Sequence, residues 1–483
     1  MKKKYLLSTI PVFFLATGFF AQTLTWSNPI VVAAGTADPL NRPKIKLSLN
    51  NVPTVIWTEA IGPNILYCAR KTGVNFAMPV AVAPALDPRS TMMDGPNMTV
   101  AGDTVYVIYS SPSSGVGDIY LSKSLNGGQS FSNPVMVNDP GNIPVLPWVS
   151  TSPGGNPVCA YMQLDLSWTN PRHVVSTSTN GGATFGSEVD GTLLAPGVVC
   201  ECCPPSLASK GSKQVLLFRN NNSNVRDIWT GLSNDDGNTF TQSTDIDATN
   251  WMVMSCPSSG PEGIISGDSL IAVWMSASTG DERVHVGTMN INTMQSGFNN
   301  EINSVPGNYL QNLPTIAGQG DTLGVVWQDF RNGNYDCMFS YSVSGASGLD
   351  NQYFYIDSGM TAQYNVDVAY ANGTFHFVYQ DDTNNKIMYR TASFTSVGLA
   401  EMQNEQSVVV APNPFSKRTT LSFKGSNKPL SVSLFDVSGK LISTYGNISS
   451  NEVIVEENFD RGIYFFSAKM QDGKIVKGKF LVQ

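Results

Sequence analysis

Residues 218–240 read FRNNNSNVRDIWTGLSNDDGNTF. The closing part, Ser233-Asn-Asp235-Asp-Gly237-Asn-Thr239-Phe240, fits the pattern S-x-D-x-G-x-T-F. An Asp in a tight hairpin can accept hydrogen bonds from its own backbone a few residues on, and a Gly supplies the positive φ of the turn. The aromatic packs under the turn and opens the next strand. Asp227-Ile-Trp-Thr-Gly-Leu, just ahead, alternates as a strand does. The pattern recurs with Asn for Asp as Ser124-Leu-Asn126-Gly-Gly128-Gln-Ser130-Phe131 and Ser178-Thr-Asn180-Gly-Gly182-Ala-Thr184-Phe185. The starts at 124, 178 and 233 lie 54 and 55 residues apart, and a degenerate copy ends at Phe76, 55 residues before Phe131. A fixed period of this length marks a repeat architecture.

A second marker extends the series. An apolar strand reaches an aromatic at Trp57, Tyr109, Tyr161, Phe218, Trp274, Trp327 and Tyr379, at spacings of 52 to 57 residues. Each is preceded by a short strand and a turn and followed by a third strand. Four short antiparallel strands per unit, repeated radially, predict an all-β chain built on a β-propeller. The count predicts seven blades; six blades with one unit packed aside is the alternative. The last unit lacks a fourth strand, and Trp26-Ser-Asn-Pro-Ile30-Val-Val32 has the look of the missing one, matching Phe131-Ser-Asn-Pro-Val135. Supplied from the N-terminus, it would close the ring and remove a sheet edge. After Thr395 the pattern breaks. Short strands from Val408 onward predict a small Ig-like β-sandwich. The expected divisions are a signal peptide over 1–21, the propeller over 22–394, a linker over 395–406 and a terminal domain over 407–483.

The 483 residues carry 29 Lys+Arg against 37 Asp+Glu, a net charge of −8 without the basic stripe that nucleic-acid binding requires. Met1-Lys-Lys-Lys-Tyr followed by an apolar run to Phe20 predicts an export signal cleaved near Ala21. No later apolar run reaches the roughly 20 residues of a membrane helix. Export permits disulfides. The seven cysteines fall at 68, 159, 200, 202, 203, 256 and 337, an odd count that leaves at least one outside any intrachain pairing.

Two resemblances follow. Pro412-Asn-Pro414-Phe, Leu434-Phe-Asp436-Val-Ser-Gly439-Lys, Gly462-Ile-Tyr464 and the end Lys474-Ile-Val-Lys-Gly-Lys-Phe-Leu-Val482 resemble the type A C-terminal sorting domain of the type IX secretion system of Bacteroidetes. That implies signal-peptide export to the periplasm, passage across the outer membrane with the type IX machinery as partner, then release or surface attachment. The repeats over about 24–393 resemble the Asp-box (BNR) repeats of the sialidase superfamily. In that superfamily the boxes, here Ser124, Asn126, Gly128, Phe131, Ser178, Asn180, Gly182, Phe185, Ser233, Asp235, Gly237 and Phe240, are structural and lie on the face opposite the active site. Members include sialidases, other glycosidases and non-catalytic binding proteins, so the fold leaves the function open.

Sialidase chemistry, which the resemblance implies as one possibility, needs three arginines on the substrate carboxylate, a Tyr nucleophile backed by Glu, and an Asp acid/base; guanidinium forks match a carboxylate. The Arg-Ile-Pro motif is absent, and Asn41-Arg42-Pro43-Lys stands in its place. The candidates for the clamp are Arg42, Arg219, Arg226, Arg283 and Arg331, with Asp94 as candidate acid and Tyr335 and Tyr364 as phenols. Trp168, Arg172, His173 and Glu201 are candidate ligand contacts, an exposed Trp among polar groups suiting a sugar. Cys200-Glu201-Cys202-Cys203-Pro204-Pro205 and Cys256-Pro257 precede first strands of adjacent blades, so their sulfurs can meet. Disulfides are the favoured expectation, Cys202 or Cys203 with Cys256, and a thiolate metal site at Cys200, Cys202, Cys203 and Cys256 is the alternative. No other cofactor or metal is expected. The expected partner is an extracellular glycan or glycoprotein, either as the substrate of an exo-sialidase or related glycosidase, or as the ligand of a non-catalytic propeller.

Overall fold

The computed structural model describes residues 23–35, 38–302, 304–307, 309–349, 352–395, 408–424, 428–456, 458–473 and 475–483. The signal peptide expected over 1–21 and nearly all of the linker expected over 395–406 lie outside them. The described residues divide into two compact units, within 22–395 and 396–483.

The first unit is built of antiparallel sheets, and the hydrophobic runs of the sequence explain why. The second strands Val52–Glu59, Thr104–Ser111, Pro157–Leu164, Lys213–Asn221, Ser269–Ser276, Thr322–Asp329 and Thr374–Asp381 are buried along nearly their whole lengths. Strands covered on both faces read as continuous apolar runs rather than alternating ones. The aromatics that mark the period, Trp57, Tyr109, Tyr161, Phe218, Trp274, Trp327 and Tyr379, are all buried. Each second strand pairs with a first strand on one side and a third on the other, giving seven sheets among the described residues.

The seven first strands are Leu40–Ser48, Asn97–Ala101, Ile143–Thr151, Ser206–Lys210, Glu262–Ser266, Asn312–Gln319 and Gln363–Ala371. Each lies against the next, and the last lies against the first. This cyclic stacking of sheets is a β-propeller. The ring is closed by the N-terminus: Thr23–Trp26 and Ile30–Ala34 both pair with Lys386–Thr395, the third strand of the last sheet. Trp26 lies 5.4 Å from the Phe377 ring, stacked, and 5.9 Å from Phe339, edge on.

Among its described residues the second unit holds a three-stranded and a four-stranded antiparallel sheet around one core that includes Phe415, Leu421, Leu434, Phe466 and Phe480.

Candidate functional site

Four of the first strands carry the same irregularity. The ladder register shifts between Asn41 and Lys44, Val145 and Trp148, Asn312 and Thr315, and Tyr364 and Asp367. At each bulge one residue takes positive φ: Arg42 (54°), Leu146 (59°), Leu313 (50°) and Asn365 (50°). In three of the four the next residue is Pro43, Pro147 or Pro314, which has no N–H to give to the ladder. Bulges re-aim side chains at the rims of sheets. Here they line an axial cavity of about 80 Å³, to which six of the sheets and the loop entering the other contribute, among them Arg42, Lys44, Trp148, Pro205, Glu262, Thr315 and Asn365. Lys44 pairs with buried Asp367 at 3.8 Å. Burial pushes the Glu262 carboxyl up to about 7; Asp367 adds to the effect, and Lys44 and Lys46 oppose it.

Arg42 and Asn365 also border a wider cleft of about 320 Å³, lined further by Asn41, Ser90, Thr91, Met92, Gln328, Tyr335, Tyr364, Gln380 and Asp382. Its floor is a chain of amides. Asn365 Nδ2 donates to Gln380 Oε1 at 2.8 Å, Gln380 Nε2 donates to Asp382 Oδ1 at 2.9 Å, and the Asn365 N–H donates to Gln328 Oε1 at 3.0 Å. Tyr335 and Tyr364 form an aromatic wall with ring centroids 5.1 Å apart. The Tyr364 phenol is raised by burial and then by Asp382 and Tyr335. Arg42 Nη1 donates to the Met92 carbonyl at 2.7 Å, while its Nε is buried without a partner. Desolvation lowers the Arg42 pKa against the opposing pull of Asp94 and Asp367.

The other candidate arginines do not join Arg42. Arg219 is fully buried and gives its N–H groups to the carbonyls of Ser259, Arg226 and Met275, at 3.1, 2.7 and 2.6 Å. Arg226 donates to Cys200 Sγ and Glu201 Oε2, each at 3.1 Å. Arg283 is buried on the Gly307 carbonyl and Asp281 under the Tyr309 ring. Arg331 forks onto Asp329 and is sandwiched between Tyr309 and Tyr353, 4.5 and 4.2 Å from their ring centres. The axial cavity and the clefts beside it take Arg42 or Arg89, one guanidinium each. The expected three-arginine clamp is therefore corrected: four of its five members brace loops and strands, Arg219 on backbone carbonyls, Arg226 and Arg331 on carboxylates, and Arg283 on one of each. Asp94 is likewise held inside, paired to Arg89 at 3.3 Å and to Ser110 Oγ at 3.0 Å, its pKa raised by burial. His173, expected as a ligand contact, lies wholly in the core against Phe218, and burial depresses it to about 3.

Trp168, Glu201 and Cys202 do share a cleft, of about 410 Å³, with Arg89, Asp94, Leu146 and Leu164. Trp168 is 54% exposed and held at positive φ. Arg172 braces the same loop through Asp165 at 3.3 Å. Behind this cleft lie the cysteines. Cys202 and Cys256 form a disulfide, with Cα atoms 6.5 Å apart. Cys200 Sγ lies 3.1 Å from Cys203 Sγ and 3.8 Å from Cys256 Sγ. The Cys203 hydrogen bond, with Arg226 and Arg219 near, holds the Cys200 thiol down to about 7 against the effect of burial, whereas burial pushes Cys203 well up.

In the three boxes Ser124, Ser178 and Ser233 accept from the N–H of Gly128, Gly182 and Gly237 at 2.8–2.9 Å. Asn126, Asn180 and Asp235 accept from the N–H four residues on at 2.8–3.0 Å. Phe131, Phe185 and Phe240 are half-buried against core clusters. Each box also reaches back to the preceding sheet. A Cβ on Gly237 would stand 3.0 Å from Val175 and 3.1 Å from Val158.

Residues 409–483 match the secretion system C-terminal sorting domain. The sorting domain directs this chain through type IX export to the cell surface or beyond it. Among the described residues no helix is long and apolar enough to cross a membrane. No curated protein matches the chain in sequence. In structure it is similar to an ulvan lyase, a polysaccharide lyase bound to -[GlcA(1-4)Rha3S]-, with TM-score 0.50 and 10% identity over 76% of this chain and 97% of that one. It is also similar to a protein of unknown function from Dyadobacter fermentans (TM-score 0.45, 10% identity, 77% and 99% covered). An α-L-arabinanase of Penicillium chrysogenum complexed with arabinobiose aligns at TM-score 0.41, 11% identity, 76% and 98% covered.

Proposed function

We propose that this chain carries an N-terminal export signal and a seven-bladed propeller of sialidase type, and that the propeller binds acidic extracellular glycans in the cleft beside its axis. The observation that carries the proposal is the convergence of one guanidinium, three side-chain amides and two phenols, Arg42, Gln328, Asn365, Gln380, Tyr335 and Tyr364, on one open cleft. Amides and phenols suit sugar hydroxyls and ring faces, and Arg42 suits a carboxylate. The polysaccharide-bound lyase of similar fold supports a glycan ligand without specifying it. Calorimetric titration with oligosaccharides of glucuronate, sialate and neutral sugars tests this. Binding of an acidic member, weakened at least about tenfold by Arg42→Ala, is the expected result. Equal binding of neutral sugars, or none by any, overturns it.

Turnover of the bound glycan is the second reading. It is favoured by Tyr364, a phenol kept protonated beside Asp382 and within the same cleft as Arg42, where it could serve as a proton donor. Release of new reducing ends, or of sialic acid from a fluorogenic sialoside, across pH 4–8 would establish it. A flat signal with binding intact leaves a non-catalytic propeller.

A further inference from the structure

The cysteine cluster is not used by the glycan cleft, and its surroundings are those of a metal site. Four ligand atoms, the sulfurs of Cys200, Cys202, Cys203 and Cys256, all lie within 4.8 Å of one another. They come from two loops entering adjacent sheets. Cys200 is central, 3.1 Å from Cys203, 3.8 Å from Cys256 and 4.0 Å from Cys202. Thiolates about 2.3 Å from a tetrahedral ion stand about 3.8 Å from one another. Close backbone packing holds the two loops in that approach, since a Cβ on Gly260 would collide with the Pro204 carbonyl, and the first loop turns back on itself where the Cys203 N–H donates to the Cys200 carbonyl at 3.3 Å.

The charge around the sulfurs points the same way. Arg226 Nη1 donates to Cys200 Sγ from a buried position, its Nε has no partner, and the fully buried Arg219 lies alongside. Glu201 Oε2 counters Arg226 on one side at 3.1 Å, and neutral sulfurs would add no counter-charge on the Cys200 side, where a buried cation is costly unless countered. Four thiolates around a divalent ion carry net −2, which the two arginines match in number, and around a monovalent ion −3, which they offset in part. Ser258 Oγ, 3.8 Å from Cys256 Sγ and 4.0 Å from Cys202 Sγ, supplies the outer hydrogen bonding usual around metal ligands. Cys202 opens on the Trp168 cleft, so an ion has a path in.

We infer that Cys200, Cys202, Cys203 and Cys256, when all reduced, form a thiolate site for one d10 thiophilic ion, Zn(II) or Cu(I). The disulfide and the metal-bound form are alternative states of the same sulfurs. Opening the Cys202–Cys256 bond takes two electrons and two protons from a thiol reductant, two RSH leaving as RSSR. Metal binding then releases the four thiol protons to solvent.

The test uses the whole exported chain, reduced under anaerobic conditions, loaded with Zn(II) or Cu(I) in separate arms and challenged with a chelator selective for each. One ion per chain, with the four cluster thiols losing reactivity toward a thiol reagent, is the expected result. The arm that survives its chelator identifies the ion. Cys200→Ser and Cys203→Ser should each weaken retention more than about 100-fold, and Arg226→Gln about 10–100-fold. Retention of neither ion, or equal retention by a Cys200→Ser/Cys203→Ser double variant, overturns the assignment. If the serine variants do not fold, the melting temperature of the reduced wild-type chain decides: a rise with metal supports the site, and no change overturns it. Loss of glycan binding leaves this measurement untouched.

Discussion

Glu262 carries a pH dependence that the sequence gives no hint of. It is one carboxyl among 37 acidic residues, yet it is buried on the axial cavity with its pKa raised to about 7. Because the folded pKa lies above the unfolded value, its protonated form is favoured by folding. That contribution is complete below about pH 4.5 and is lost as pH rises through 7. Glu262→Gln should therefore match the wild type near pH 4.5 and exceed it at pH 8, by an amount on the order of 3 kcal/mol. Urea unfolding at the two pH values measures this. A variant less stable than wild type at pH 8 would mean that the ionised carboxylate is held by Lys44 and Lys46 instead. The arginines teach the complementary point. Arg219 and Arg331 are as charged in the sequence as Arg42, but the first is consumed by three carbonyls and the second by Asp329 and two rings. Which carbonyls, carboxylates and rings come to lie beside a guanidinium is a tertiary fact, and it decides which of these groups border a cleft with donors to spare.

At the scale of the hairpin, the Asp box does more than turn the chain. Gly237 has φ of 90° and sits against Val175 and Val158 of the preceding sheet, whereas Gly211, at the turn before Lys213–Asn221, has φ of 56° and open space around it. Both substitutions to Ala pay the backbone cost of about 1 kcal/mol. Gly237→Ala adds crowding against the neighbouring sheet, so its total should reach roughly 2–4 kcal/mol. Equal denaturation midpoints for the two variants would reduce the box to a local turn. The box was legible because a turn must satisfy its own N–H groups with nearby side chains, which fixes residue types at fixed spacing. The bulges at Arg42, Leu146, Leu313 and Asn365 were harder to see. Their one sequence trace is the Pro that follows three of them, and the seventh-sheet bulge, followed by Val366, lacks even that.

For the whole molecule, the N-terminal strands decide whether the ring of sheets has an edge. Thr23–Trp26 and Ile30–Ala34 cover the last sheet's third strand, and Trp26 sits among Phe339, Phe354 and Phe377 with the Arg390 guanidinium 4.9 Å from its ring centre. Trp26→Ala, at a half-buried site, should cost roughly 2–3 kcal/mol, and removal of residues 23–34 should expose the Lys386–Thr395 edge and promote association. Scanning calorimetry with size-exclusion chromatography checks both. An unchanged melting temperature and a monomeric truncated chain would show that the ring does not depend on this closure.

The sequence by itself determined the period, the all-β character, the boxes, the buried aromatic of each sheet and the sorting domain. These rest on local chemistry, namely turn residues at set spacing and strands whose apolar runs are covered on both faces, so they survive in one dimension. Only the tertiary structure decided the candidate site. Arg42, Gln328, Tyr335, Tyr364, Asn365 and Gln380 come from four places in the chain and meet only because the ring closes and the bulges turn inward. Packing of neighbouring sheets likewise placed His173 in the core and set Arg226 on Cys200. Which side chains a ring brings face to face depends on contacts between residues hundreds of positions apart, and no local pattern records them.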